Sequence, residues 1–213
     1  MSSPFKKGFL ISIEGIDGSG KSTLAANLYK TLSSTSLPIL LTKEPGGSPL
    51  GSLLRNIVQK KEVDLCPKAE YLLFAADRAQ HFEQVIMPAL MQGKIIISDR
   101  MADSSLVYQG YGRGLEKEMI ASINKWSMNN ITPDLTIYVR VTAHTAFQRI
   151  LKRNAEFTSF EKEQQEFIER LIIGFDAVFK ERENALWCDG ELSIEQITSH
   201  ATQGILTWIT NKQ

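Results

Sequence analysis

Cysteine is scarce in this chain. Cys66 and Cys188 are the only two among 213 residues, and they stand far apart with no metal-ligand spacing. That excludes a disulfide framework and a zinc finger, and it reads as a protein of a reducing compartment. An excess of either charge is lacking too. Lys+Arg number 24 and Asp+Glu 24, a net charge of +0 with histidine neutral. This excludes a broad electrostatic grip on nucleic acid or an anionic membrane and leaves only a local basic site. Apolar runs are short: Glu14 and Asp17 interrupt the stretch after Lys6 and Lys7, so neither a signal peptide nor a membrane span is expected. Internal repeats and low-complexity linkers are missing. So is any Cys/His or Ser/His arrangement of a nucleophile with its base.

What is present is an alternation of strand and helix patterns, with 43% hydrophobic residues to build a core. Strands are expected at Phe9–Ile13, Pro38–Thr42, Lys94–Ser98, Leu135–Val141 and Ala185–Cys188. Helical patterns cover Leu50–Val58, Ala69–Met91 with a bend near Pro88, Leu115–Asn129, Ala143–Arg153 and Glu161–Glu183. Ser193 and Gln196 form a capping-box pair that opens a last helix. Five strands with helical crossovers predict one α/β domain over residues 1–213, a three-layer α/β/α fold with a parallel sheet. Ligands in such folds lie at the carboxyl ends of the strands.

The first strand ends in Gly15-Ile16-Asp17-Gly18-Ser19-Gly20-Lys21-Ser22, and Leu24, Leu28 and Leu32 follow with a helical period of four. Strand, glycine-rich turn and helix are the context that gives the G-x-x-x-x-G-K-[ST] pattern its chemistry. Glycines let backbone N–H groups turn towards an anion, and the helix N-terminus adds partial positive charge. Lys21 can reach the β- and γ-phosphates, and the Ser22 hydroxyl can ligate Mg²⁺. The loop announces a nucleoside triphosphate and leaves open what is done with it.

Other strand ends carry further candidates. Lys43-Glu44-Pro45-Gly46-Gly47 is a tight turn that can approach a ligand or be a plain loop. Asp99 stands where a Mg²⁺ partner is expected, and Arg100 beside it offers a fork of donors that suits phosphate. Phe74 and Arg78, one helical turn apart, could make a base pocket, although spacing alone favours core packing. Arg55, a lone base in an apolar helix, reads by itself as a snorkelling surface residue. Arg149, Lys152 and Arg153 cluster at a helix end before a polar segment, which fits a cationic lid and a solvated helix end equally well.

Taken in order and spacing, these motifs resemble thymidylate kinase, a phosphate-loop nucleoside monophosphate kinase of bacterial type. Ile13-Glu14-Gly15 with Asp17, Thr42 to Gly47, Leu73 to Arg78, Ser98-Asp99-Arg100, Ser104-Ser105, Tyr108-Gln109-Gly110 and Pro133 to Thr136 carry the resemblance. It implies ATP and dTMP as substrates and Mg²⁺ as cofactor. Gly15, Ile16, Asp17, Gly18, Ser19, Gly20, Lys21, Ser22 and Thr23 would bind ATP, and the loop near Asp189 would border adenine. Ser22 and Asp99 would hold Mg²⁺, Asp99 through water. Asp17 would meet the acceptor's 3′-hydroxyl, and Arg55 and Arg100 its phosphate. Phe74 would stack on thymine and Arg78 donate to it. Ser105 and Gln109 would border the base, Tyr108 would crowd the sugar 2′ position, and Glu44 and Pro45 would complete the pocket.

Part of the family carries an arginine in the phosphate loop where this chain has Gly18. The catalytic cation is therefore expected from a lid at about 149–161, from Arg153 first and Arg149 second. Thr158-Ser159-Phe160-Glu161 departs from the Asp-Arg usual before Ile-Glu in such lids, and Lys43 stands where relatives carry arginine. The resemblance further implies a cytoplasmic homodimer that binds neither nucleic acid nor membrane. The alternatives are another nucleotide kinase, an inactive nucleotide-binding relative and a GTP-binding switch. The switch needs an Asp-x-x-Gly after a strand, which Asp99-Arg100-Met101-Ala102 is not.

Overall fold

In the computed structural model, residues 8–35, 37–60, 63–152, 160 and 165–211 are described. Arg153, Thr158, Ser159 and Glu161, on which much of the expected lid rests, lie outside the described residues. The strands β1 (Phe9–Glu14), β2 (Ile39–Lys43), β3 (Ile95–Asp99), β4 (Leu135–Arg140) and β5 (Ala185–Asp189) make one sheet in the order β2-β3-β1-β4-β5. Every neighbouring pair is parallel. Each strand is within a residue or so of its sequence expectation, because apolar runs bounded by turn residues mark buried strands well. Ile13 of β1 and Lys43 of β2 both stand opposite Asp99 of β3. Three strands thus end level, and the loops that follow them converge.

Helices α1 (Lys21–Ser33) and α9 (Ile194–Thr210) cover one face. The α1 stripe Leu24, Leu28 and Leu32 is fully buried against Ile11, Ile13, Ile97 and Ile137. The predicted capping box of α9 is present: Ser193 Oγ accepts from the Gln196 N–H, and Gln196 Oε1 from that of Ser193. On the other face Leu10 and Ile96 pack with Phe82, Ile86 and Leu90, while Tyr138 stacks on Phe175 and Phe179. Those two rings belong to α8 (Gln165–Phe179). The remaining helices are α2 (Pro49–Lys60), α3 (Pro67–His81), α4 (Met87–Met91), α5 (Ala102–Ser105), α6 (Lys117–Ser127) and α7 (Ala143–Lys152).

Three helix expectations need correction. The stretch Ala69–Met91 begins at Pro67, and its irregularity falls before Pro88, in a π-helical turn at Phe82–Ile86. The proline ring would meet the carbonyl of Gln84 in a regular helix, and the wider turn relieves that conflict. The helix expected to run to Glu183 ends at Phe179, and that expected over Leu115–Asn129 is trimmed to Lys117–Ser127. A helical stretch, α5 continued by a π-helical turn at Leu106–Gly112, was not expected. Its two glycines and lack of apolar period hide it, and packing of Val107 and Tyr108 on Phe167 and Phe175 holds it in place.

Candidate functional site

The site is built where the level ends of β1, β2 and β3 open towards α3 and the Ala102–Gly112 stretch. The phosphate loop leads into α1, whose N-cap is Gly20, with φ of 96° and no capping side chain. The first N–H groups of α1 thus have no side-chain cap, the condition under which a helix start takes an anion. Gly18 is there for close approach: with φ of +79°, a Cβ on it would lie 2.3 Å from the Ala146 carbonyl of α7. Helix α7 therefore excludes any side chain, arginine included, from that point of the loop.

Lys21 is buried, and its Nζ donates to the Ile16 carbonyl at 2.7 Å. Burial, with Arg100 adding its charge, pushes its ammonium down to about 8. Ser22 Oγ donates to Asp99 Oδ2, while Asp99 Oδ1 is buried and accepts from nothing among the described residues. An orphaned carboxylate oxygen beside a serine hydroxyl at a phosphate loop is a hard-oxygen donor set, and it fits Mg²⁺.

Arg100 sits at the end of β3 with φ of 71°, a left-handed backbone rarely taken by a residue with Cβ. Three bonds hold that turn. The Arg100 N–H donates to the Ile13 carbonyl, Ser98 Oγ donates to the Arg100 carbonyl, and the Met101 N–H donates to Glu14 Oε1. The guanidinium then donates through Nη1 to the Gly15 carbonyl and Ser104 Oγ, and through Nη2 to Asp17 Oδ1 and Tyr108 Oη. Tyr108 Oη donates in turn to Asp17 Oδ2. Burial opposes the charges here, but Tyr108 and Asp17 outweigh it and hold the Arg100 guanidinium above its ordinary value. For Asp17, burial is outweighed by Arg100 and Lys21, which keep its carboxyl below the usual range.

These residues face a cavity also lined by Lys43, Glu44, Pro45, Arg55, Phe74, Arg78, Ser105 and Gln109. Arg55 spends one donor on the Pro45 carbonyl at 2.8 Å. Arg78 is nearly fully buried, with four of its five donors engaged: Nε on Glu44, Nη1 on Asn124, Nη2 on Ser105 and the Met101 carbonyl. Glu44 carries the other end of a buried chain through His81 to Thr42. Burial works against the Glu44 charge, yet Arg78 and His81 hold its carboxyl below the ordinary range. Phe74 is half-buried at the cavity wall, 6.1 Å from the ring of Phe160.

The structure thus brings together the residues expected around an acceptor, and the solvated or core readings of Arg55, Phe74 and Arg78 give way. Arg149 lies apart from them. Its Nη1 donates to the Ser19 carbonyl and its Nη2 to that of Gly190, so it ties the loop after Asp189 to the phosphate loop. Arg153 lies outside the described residues. Sequence reasoning missed Gln59, Met101, Ser104 and Phe160 as cavity residues. It also missed Asp77, Glu70, His81 and Asn124 behind the wall. Their signal would have been polar residues on the buried faces of α3 and, for Asn124, of α6, visible only once those faces are known.

A parallel sheet with a phosphate loop after its central strand, and a second, cation- and aromatic-lined cavity beside it, defines a phosphate-loop nucleotide kinase of the monophosphate class. A family model described as thymidylate kinase matches residues 13–201. A "Thymidylate kinase" of Kosmotoga olearia is 38% identical over 92% of this chain and 94% of that protein. One from Pelotomaculum thermopropionicum is 41% identical over 81% and 80%, and one from Halothermothrix orenii 43% over 67% and 69%. The chain belongs to the thymidylate kinase family.

Proposed function

We propose that this protein transfers the γ-phosphoryl group of ATP to the 5′-phosphate of dTMP, yielding dTDP and ADP for dTTP synthesis. One observation carries the reading: Phe74, Arg78, Arg55 and Arg100 line one cavity together with Lys21 and Ser22 of the phosphate loop. A flat base, a sugar and an anion fit such a cavity in that order. Phe74 stacks on the base, Arg78 offers its remaining donor, and Ser105 and Gln109 border the base edge. Tyr108 and Asp17 meet the sugar, Arg55 and Arg100 receive the phosphate, and Glu44 and Pro45 close the wall.

The acceptor needs no general base. Its phosphate is mostly dianionic near pH 7, the second pKa being about 6. One of its oxygens forms the new bond to the γ-phosphorus, and the bond to the β–γ bridging oxygen breaks, leaving ADP. The protein's work is in-line placement of two repelling anions and neutralisation of the migrating group. Lys21 and the α1 N-terminus bind the donor's phosphates, and Arg100, with four donors fixed, arrives preorganised. Ser22 and Asp99 would hold Mg²⁺, which when bound neutralises β- and γ-oxygens. The lid expected at about 149–161 would supply Arg153 as the closing cation and exclude water; Arg153 lies outside the described residues.

The chain is read as one kinase domain, active as a homodimer in the cytoplasm. Two free cysteines, one of them exposed, support a reducing compartment, and no helix among the described residues is long and apolar enough to cross a membrane. ADP release measured with dTMP, dUMP, dCMP, dGMP and AMP in turn tests the function. The highest kcat/KM is expected for dTMP, and a higher value for any other acceptor sinks the assignment.

A further inference from the structure

Behind the cavity wall, in the first turn of α3, Glu70 is buried. Its Oε1 accepts from Gln109 Nε2 at 2.9 Å, and Arg113 lies 3.4 Å from both of its oxygens. A carboxylate paired with a guanidinium can only accept hydrogen bonds. The end of the Gln109 amide that meets it must therefore be the NH₂ group, whatever ambiguity an isolated amide carries. Gln109 lines the cavity, and among the described residues nothing donates to its Oε1.

We propose that Glu70 is a specificity-determining positioning residue: it holds the NH₂ end of the Gln109 amide, so that the carbonyl oxygen is the end left to meet the base. The inference rests on the dTMP reading of the cavity. Thymine and uracil carry an N3–H that an acceptor satisfies. Cytosine carries a bare N3, which would face the Gln109 oxygen as acceptor against acceptor. Turning the amide over to suit cytosine would set its oxygen against the buried Glu70 carboxylate, exchanging one acceptor–acceptor pair for another. The discrimination is thus made by a residue that does not itself line the cavity.

The test is steady-state kinetics with dTMP and dCMP on the parent and on Glu70→Gln, whose isosteric amide can donate as well as accept and so releases the lock. KM for dTMP is expected to rise roughly tenfold with kcat changed by less than about threefold. The dTMP-to-dCMP ratio of kcat/KM is expected to fall at least about tenfold, the scale of one hydrogen bond. An unchanged ratio overturns the proposal, and so does a fall in kcat at constant KM, because a merely structural role moves both substrates alike. Should Glu70→Gln fail to fold by circular dichroism, Glu70→Asp reads the same ratio, with the charge kept and the carboxylate drawn back by one methylene. A parent that prefers another acceptor to dTMP sinks the dTMP reading itself. A parent that prefers dTMP, paired with a variant equally selective, sinks the role of Glu70 alone.

Discussion

Asp77 shows how much a single buried group can cost at the edge of this site. Its Oδ1 accepts from the Gly46 N–H at 3.0 Å and steadies the Pro45-Gly46-Gly47 turn, but its Oδ2 is buried without a partner among the described residues. Burial, with the Glu44 charge adding to it, pushes its carboxyl up to about 6. The native protein thus holds this proton more tightly than the unfolded chain, whose value is 3.8. Stability from this group is fully present below the unfolded value, falls as pH rises between the two, and stays low above about 6. Asp77→Asn does not titrate, so the variant should gain on the parent by on the order of 2 kcal/mol between pH 4 and pH 7. Urea unfolding at the two pH values checks this, and a constant difference would contradict it. The residues of the wall were legible in sequence only as motif members. That Arg78 spends four donors inside the protein, or that Arg100 takes a left-handed backbone, depends on partners up to 87 positions away.

At the scale of elements, α7 meets the phosphate loop from above and decides two things. Its Ala146 carbonyl leaves no room for a Cβ on Gly18. Gly18→Ala should therefore move the loop or the helix and lower kcat/KM for ATP by roughly a hundredfold, the scale of a small misplacement at a reacting site. Retained activity with ATP would show that the contact yields. Two arginines near this end of the chain should behave differently. Arg149 is bonded to the Ser19 and Gly190 carbonyls, so Arg149→Ala should raise KM for ATP. Arg153 lies outside the described residues, and Arg153→Ala should lower kcat more than it weakens dTMP binding, on the order of 10³-fold for a transition-state arginine. An unchanged kcat would remove Arg153 from that role. Regular elements were readable because apolar runs and helical periods are local. The Ala102–Gly112 stretch was not, since tertiary packing rather than period holds it helical.

At the scale of the whole molecule, several large apolar side chains stay exposed, among them Leu53, Ile57, Leu72 and Trp126, the last 76% exposed. Single apolar side chains of this kind are ordinary on a protein surface, and the proposed homodimer is tested by mass. Sedimentation equilibrium should give about twice the chain mass of 23.9 kDa, and a monomer at working concentration would contradict the expected assembly.

Taken alone, the amino-acid sequence determined the alternation of strands and helices, the phosphate loop with its strand before and helix after, and the capping of the last helix. Each of these is written in spacing over a few residues. Tertiary structure alone decided that β1, β2 and β3 end level, so that Gly15, Glu44 and Arg100 meet. It also decided that Arg78 is built into the wall, that α7 forbids a side chain at Gly18, and that Glu70 sets the Gln109 amide. The physical reason is the same in each case: burial and hydrogen bonding act between atoms close in space, and sheet order brings together residues that no local period can connect.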